Sequence, residues 1–163
     1  MSQDKSFPKH KSALYAFAIE RYERAMGGGF YLEAITLCES MITDRLLSSL
    51  ARREKRILKA NTALNDLIKM HQRLEYEERS ATTGGRREPD IFAALMTWKS
   101  ERNALLHGFA KCVPGDELDD PAVLVDRAKE AALHGMRLFR LLDNWHAEHT
   151  RNQGRPDGFD SAA

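Results

Sequence analysis

Two cysteines, Cys38 and Cys112, are all that the 163-residue chain holds, and they show no Cys-x-x-Cys spacing. That argues against a disulfide framework and a cysteine zinc site, and points to reduced, buried thiols in a cytoplasmic protein. Long apolar runs are missing too, for no stretch approaches the roughly 18 residues of a membrane span. The opening residues, Met1 to Lys11, are polar and include Pro8, so they do not read as a signal peptide. Nor does one sign of charge dominate. Lys and Arg total 25 against 24 Asp and Glu, a net of +1. There is no global basic field, and any contact with nucleic acid has to come from a local patch. Alternating strand patterns and internal repeats are absent as well. What remains suits a soluble, cytoplasmic chain of one domain, 42% hydrophobic and 30% charged, long enough to bury a sizeable core.

Helical spacing fills that chain. From Lys11 to Met26, Leu14, Phe17, Ala18, Tyr22 and Ala25 recur at helical intervals. Gly27-Gly28-Gly29 then ends the run. The triple glycine lacks the preceding strand and the following Lys-Ser/Thr of a phosphate loop, so it reads as punctuation. A second helix carries Tyr31, Ala34, Ile35, Leu37, Cys38, Met41, Ile42, Leu46, Leu47 and Leu50, dense enough for burial on more than one side. A third runs through Leu58, Leu64, Leu67, Ile68, Met70 and Leu74 to about Glu78, and residues 80–87 read as a flexible loop. Pro89-Asp90 opens a fourth helix reaching to roughly Cys112, and the acidic stretch Asp116 to Pro121 links it to a fifth, Ala122 to His149. The expected architecture is an all-α, five-helix up-and-down bundle. Its boundaries are a flexible lead over 1–10, the helical domain over 11–150, and a disordered tail over 151–163.

The fourth helix holds the residues with the most chemistry, Ser100-Glu101-Arg102-Asn103-Ala104-Leu105-Leu106-His107-Gly108. A cation, an amide and an imidazole stand within two turns, among the apolar Trp98, Leu105, Leu106 and Phe109. Arginine offers a permanent planar fork of donors to a phosphate, and histidine exchanges a proton near neutral pH. These are the tools of a metal-free phosphodiester cleavage. Asn103 and His107, at i and i+4, share a face. Arg102 and His107, at i and i+5, are about 140° apart on an ideal helix. One helix alone does not aim both at one point, whereas a second copy across a two-fold axis would gather two of each around one groove.

Other polar residues carry two readings each. Glu39 follows Cys38 at the edge of the dense seam, placed either to orient an arginine or histidine from a neighbouring helix or to form a boundary salt bridge. Arg52-Arg53-Glu54-Lys55-Arg56, with Lys59, is the most basic run, fit for a phosphate-contacting patch if its cations share a face, or for a solvated helix end. Arg86 and Arg87 stand at the edge of the flexible loop, within reach of a polyanion. His146 and His149 have a spacing that can hold a metal, but no third ligand is evident, so no metal site is assigned. His71 and His134 read as boundary positions, and Trp98 and Trp145 as core anchors.

The stretch Glu101-Arg102-Asn103-Ala104-Leu105-Leu106-His107 resembles the Arg-Asn-x-x-x-His form of the Arg-x(4–6)-His motif of the HEPN superfamily. Those proteins are small helical bundles, many of them ribonucleases of toxin–antitoxin, phage-defence and RNA-guided immunity systems. The dense second helix, the late position of the motif and the helix after it match over residues 12–150. The resemblance implies metal-independent cleavage of RNA, without a cofactor, to a 2′,3′-cyclic phosphate and a 5′-hydroxyl. His107 would be the acid or base and Arg102 the phosphate ligand, with Asn103 positioning His107 or the RNA. Glu101 and Glu39 are candidates for orienting them. Arg52, Arg53, Lys55, Arg56, Arg86 and Arg87 are candidates for RNA contact. It further implies a homodimer with facing motifs and an antitoxin or regulatory partner. The rival expectation is a catalytically silent bundle that binds RNA or protein.

Overall fold

A computed structural model of the protein describes residues 6–54, 59, 61–81, 90–110 and 120–153. They form five helices and, among the described residues, no strand: α1 (Ser6–Gly27), α2 (Tyr31–Glu54), α3 (Leu64–Ala81), α4 (Ile91–Ala110) and α5 (Pro121–Gln153). The all-α, five-helix expectation holds. The first helix begins at Ser6, inside the stretch expected as a flexible lead, with Pro8 in a first turn whose N–H groups have no helical partner in any case. The last helix continues to Gln153, into the expected tail. Leu58, expected in the third helix, and Cys112 lie outside the described residues.

Local chemistry sets the helix ends. Gly29 takes φ +77°. The Phe30 N–H donates to the Ala25 carbonyl at 2.8 Å and the Gly28 N–H to Arg24 at 2.9 Å, so the last carbonyls of α1 are satisfied by a glycine-dependent turn. Asp90 caps α4, its Oδ1 accepting from the N–H groups of Phe92 and Ala93 at 3.1 Å. Asp120 does the same for α5, accepting from Ala122 at 2.9 Å.

α2 packs on α1, α3 and α5, and α4 packs on α3 and α5. Helices α2, α3, α4 and α5 therefore form a ring with α2 and α4 on its diagonal, and α1 lies outside against α2. Contact registers give the directions. Tyr15 meets Asp44 and Arg21 meets Glu33, so α1 and α2 are antiparallel. The side chain of Lys99 donates to Asn65 at 2.9 Å, and His71 stacks on Phe92, making α3 and α4 antiparallel. Trp98 reaches Ala131, and a Cβ on Gly108 would lie 3.2 Å from Leu124, which sets α4 against α5 in the same way. Cys38 meets Ala132 and Arg45 meets Asp143, so α2 and α5 run in the same sense. The pairs Leu46–His71 and Arg53–Glu75 give α2 and α3 the same sense too. The alternation of an up-and-down bundle is thus interrupted between α2 and α3.

The centre of the ring is filled from α2 by Ile35, Cys38, Ile42 and Leu46, from α3 by Leu67 and Ile68, and from α4 by Leu95, Trp98 and Leu105, with Leu142 from α5. Trp98 is wholly buried, as expected of an anchor, and its indole N–H donates to the Ala131 carbonyl at 2.8 Å. A Cβ on Gly135 would stand 2.7 Å from that indole, so the ring depends on glycine there to lie against the α5 backbone. Cys38 is buried, and desolvation pushes its thiol up to about 12, which keeps it unreactive. No helix of the described residues is long and apolar enough to cross a membrane.

Candidate functional site

Arg102 occupies a place that the helical pattern reserves for an apolar side chain. On α4 the buried positions Phe92, Leu95, Trp98 and Leu105 recur every three or four residues, and Arg102 falls between the last two. On α2 the buried Ile35, Ile42 and Leu46 form a comparable row, and Glu39 falls within it. Because α2 and α4 are diagonal partners, these two exceptions face one another across the ring. The Arg102 Nη2 donates to Glu39 Oε1. With 14% and 29% of their side chains exposed, the two groups form a partly buried ion pair. Burying either charge without the other would be costly, so each residue makes the other tolerable in the core. The contact fits both readings of Glu39, for it is a salt bridge at the edge of the core and it meets an arginine from another helix. The Nε of Arg102 is buried and has no hydrogen-bond partner.

His107 and Asn103 belong to a different stripe. Lys99, Asn103 and His107 succeed one another at intervals of four, and the first of them reaches Asn65 in the first turn of α3. Since α3 and α4 are antiparallel, the residues after Lys99 run past the start of α3. Asn103 and His107 continue the stripe beyond it, Asn103 half-buried and His107 exposed. Among the described residues neither makes a hydrogen bond or an ion pair. Arg102 lies one turn beyond Lys99, with 14% of its side chain exposed. Within one chain Arg102 points to Glu39 and His107 to solvent, so the two are neighbours along the helix without sharing a face. Glu101 turns the other way, toward α5, where its Oε2 is 3.9 Å from His134 Nδ1.

The two basic candidates among the described residues, Arg52 and Arg53, lie away from this region. Arg53, expected to contact RNA, has only 8% of its side chain exposed, pairs with Glu75 at 3.2 Å and lies over the Trp145 ring at 5.8 Å. Its place in the row Leu46, Leu50, Arg53 turns it inward. Arg52 is exposed, within electrostatic reach of His146. That end of the bundle is about 30 Å along α5 from Leu124, the neighbour of Gly108. Lys55, Arg56, Arg86 and Arg87 lie outside the described residues.

The richest polar cluster stands at that far end and went unread in the sequence. Tyr15 donates to Asp44, which also pairs with Lys11 at 2.8 Å. Burial and the Asp44 bond raise the Tyr15 phenol well above its ordinary value. Arg45 lies over the Tyr15 ring at 4.7 Å and pairs with Asp143. His71, expected at a boundary, is wholly buried. Its Nε2–H donates to the Leu46 carbonyl at 3.2 Å, its Nδ1 has no partner, and it stacks on Phe92 at 4.9 Å with Trp145 at 5.7 Å edge-on. Desolvation lowers it to about 4. His146 is lowered to about 4 as well, by burial and then by Arg45 and Arg52. His149 packs on Trp145 at 4.2 Å, and its Nδ1 lies 2.9 Å from the Trp145 carbonyl. His71 was findable, because it follows Leu64, Leu67 and Ile68 at helical spacing. Among the described residues no three of His, Cys, Asp and Glu converge as a metal site requires.

No protein-family model, no curated protein and no solved structure matches the chain.

Proposed function

We propose that the protein is a HEPN-type, metal-independent endoribonuclease that acts as a homodimer. One observation carries the reading: near the C-terminal end of α4 an exposed His107, with no partner among the described residues, stands beside Asn103, five residues from an arginine paired inside the bundle. In this mechanism one copy's His107 takes the proton of a ribose 2′-OH, whose oxygen attacks phosphorus. The bond to the 5′-oxygen breaks, and that oxygen receives a proton from the other copy's His107. Arg102 stabilises the charge that develops on the phosphoryl oxygens, and Asn103 holds the imidazole or the RNA. The products are a 2′,3′-cyclic phosphate and a 5′-hydroxyl, and DNA, lacking the attacking hydroxyl, is inert. Such an activity suits a toxin or phage-defence effector restrained by an antitoxin or another regulatory partner.

The test is cleavage of a structured RNA in excess EDTA by wild type, His107→Ala, Asn103→Ala and Arg102→Ala. The expected result is cutting by wild type, cyclic-phosphate ends, and a loss of about 100-fold or more in His107→Ala. Equal cutting by wild type and His107→Ala would remove His107 from the mechanism.

A second reading has its own observation. Arg102 is largely buried and already paired, which suits a catalytically silent bundle that binds RNA or protein, the arginine serving only to join α2 to α4. Here wild type would not cut, expression would not be toxic, and Arg102→Ala would lower stability while RNA binding survived.

A further inference from the structure

We propose that Glu39 autoinhibits the site: its carboxylate occupies the place on Arg102 that a substrate phosphate takes, and RNA has to displace it. This inference rests on the ribonuclease reading for its substrate, and on three features of the pair for its physics. First, carboxylate and phosphodiester are both oxyanions that match the guanidinium fork, so the two compete for the same donors. Second, the resting contact is incomplete. Glu39 takes Nη2, while Nε stays buried with no partner. A phosphodiester, with two non-bridging oxygens, would accept from two guanidinium nitrogens at once and leave fewer donors orphaned.

Third, the exchange has a route. Arg102 lies past the Lys99–Asn65 contact with the first turn of α3, and Glu39 is the more exposed partner, 29% against 14%. Turning Glu39 outward returns a carboxylate to water. The same movement frees the arginine Nη2 on the stretch of α4 that also carries Asn103 and His107. Binding RNA therefore replaces one anion by another at Arg102, and an isolated copy of the protein keeps its phosphate ligand occupied until a polyanion arrives.

The experiment uses the full chain in two assays at one salt concentration. Binding is measured by fluorescence anisotropy with a fully 2′-O-methylated RNA, which cannot be cleaved, and turnover with the unmodified RNA in EDTA. Glu39→Gln keeps the shape and one neutral acceptor. It is expected to bind about fivefold more tightly, the worth of a partly exposed ion pair, and to cut faster. Glu39→Asp, whose shorter carboxylate reaches Arg102 less well, gains less in the same direction and serves if Glu39→Gln does not fold. Glu130→Gln, an equal loss of charge on the exposed side of α5, is expected to gain little.

Unchanged or weaker binding by the folded Glu39 variants would overturn the proposal, since Glu39 would then hold Arg102 in its working position. An equal gain in Glu130→Gln would overturn it as well, by reducing the effect to net charge. The two levels of inference separate cleanly. Tighter binding by Glu39→Gln with no cutting by any form refutes the ribonuclease and keeps the competition. Cutting by wild type with no gain in Glu39→Gln does the reverse.

Discussion

At the far end of the bundle, where α2, α3 and α5 run toward their C-termini, charges and rings from all five helices interlock. Tyr15 and Lys11 reach Asp44, Arg45 is held between Tyr15 and Asp143, Arg53 pairs with Glu75, and His71, Phe92 and Trp145 pack ring on ring. At the opposite end the polar contacts among the described residues are mostly isolated pairs, such as Arg21–Glu33 and Lys99–Asn65. One ion pair joins α2 to α4, and beyond it Asn103 and His107 have no partner among the described residues. The contrast shows how the fold divides its labour. Groups that already have partners in the protein hold helices in register, whereas groups without them can receive a ligand. On the ribonuclease reading, the end whose titratable groups are tied to one another is thus the weaker candidate for chemistry.

The comparison can be broken, beginning with the largest effect. His107→Ala is expected to lower RNA cleavage by about 100-fold or more while its unfolding free energy stays within about 0.5 kcal/mol of wild type. A large loss of stability would place His107 among the structural residues after all. Acid should strike the other end. His71 is about 4 in the folded protein against 6.5 for an ordinary histidine, so between these values the unfolded chain binds more protons and stability falls as pH falls. The contribution is complete above about pH 6.5, is lost as pH drops to about 4, and amounts to about 3 kcal/mol. Urea midpoints at several pH values would show the slope. His71→Leu should make it shallower, leaving the part due to His146.

Smaller effects sharpen the contrast. Asp143→Ala leaves Arg45, among the described residues, with the Tyr15 ring alone. Since Asp143 is 46% exposed, the expected cost is about 1 kcal/mol, read as a lower thermal midpoint. Tyr15→Phe removes the bond to Asp44 at a cost of about 1 kcal/mol or less. Neither change is expected to alter cleavage, and a drop in turnover without loss of stability would tie the far end to the chemistry.

The helices were legible because each buries one stripe, and a stripe leaves its period in the sequence. The same periodicity exposes Arg102, Glu39, Arg53 and His71, each a polar residue where an apolar one is due. Arg102 stood out through its chemistry and Glu39 through its place at the edge of the seam, not through this break in the pattern. Arg53 was absorbed into a run of cations, and His71 was treated as a lone polar residue. The contacts of Tyr15 and Arg45 were not legible at all. Whether Asp44 faces α1 and Asp143 faces α2 depends on which helices are neighbours and in what register, and a single-helix pattern carries neither. The direction of α3 was hidden for the same reason. His107 and Asn103 were found through their spacing, but their position past the start of α3 is a fact of packing.

The same-sense pairing of α2 with α5 also has a consequence in time. Cys38 and Ala132, which meet in the core, are 94 positions apart, so α2 waits for the last helix before its buried face is covered. As the chain leaves the ribosome, α1 and α2 can form a hairpin, yet the face of α2 that carries Ile35, Cys38 and Ile42 stays wet until α5 emerges. Glu39 lies on that helix and Arg102 on another that also leans on α5. A nascent chain therefore carries the motif long before it carries the site, and any activity of the bundle begins only when synthesis of its final helix is done.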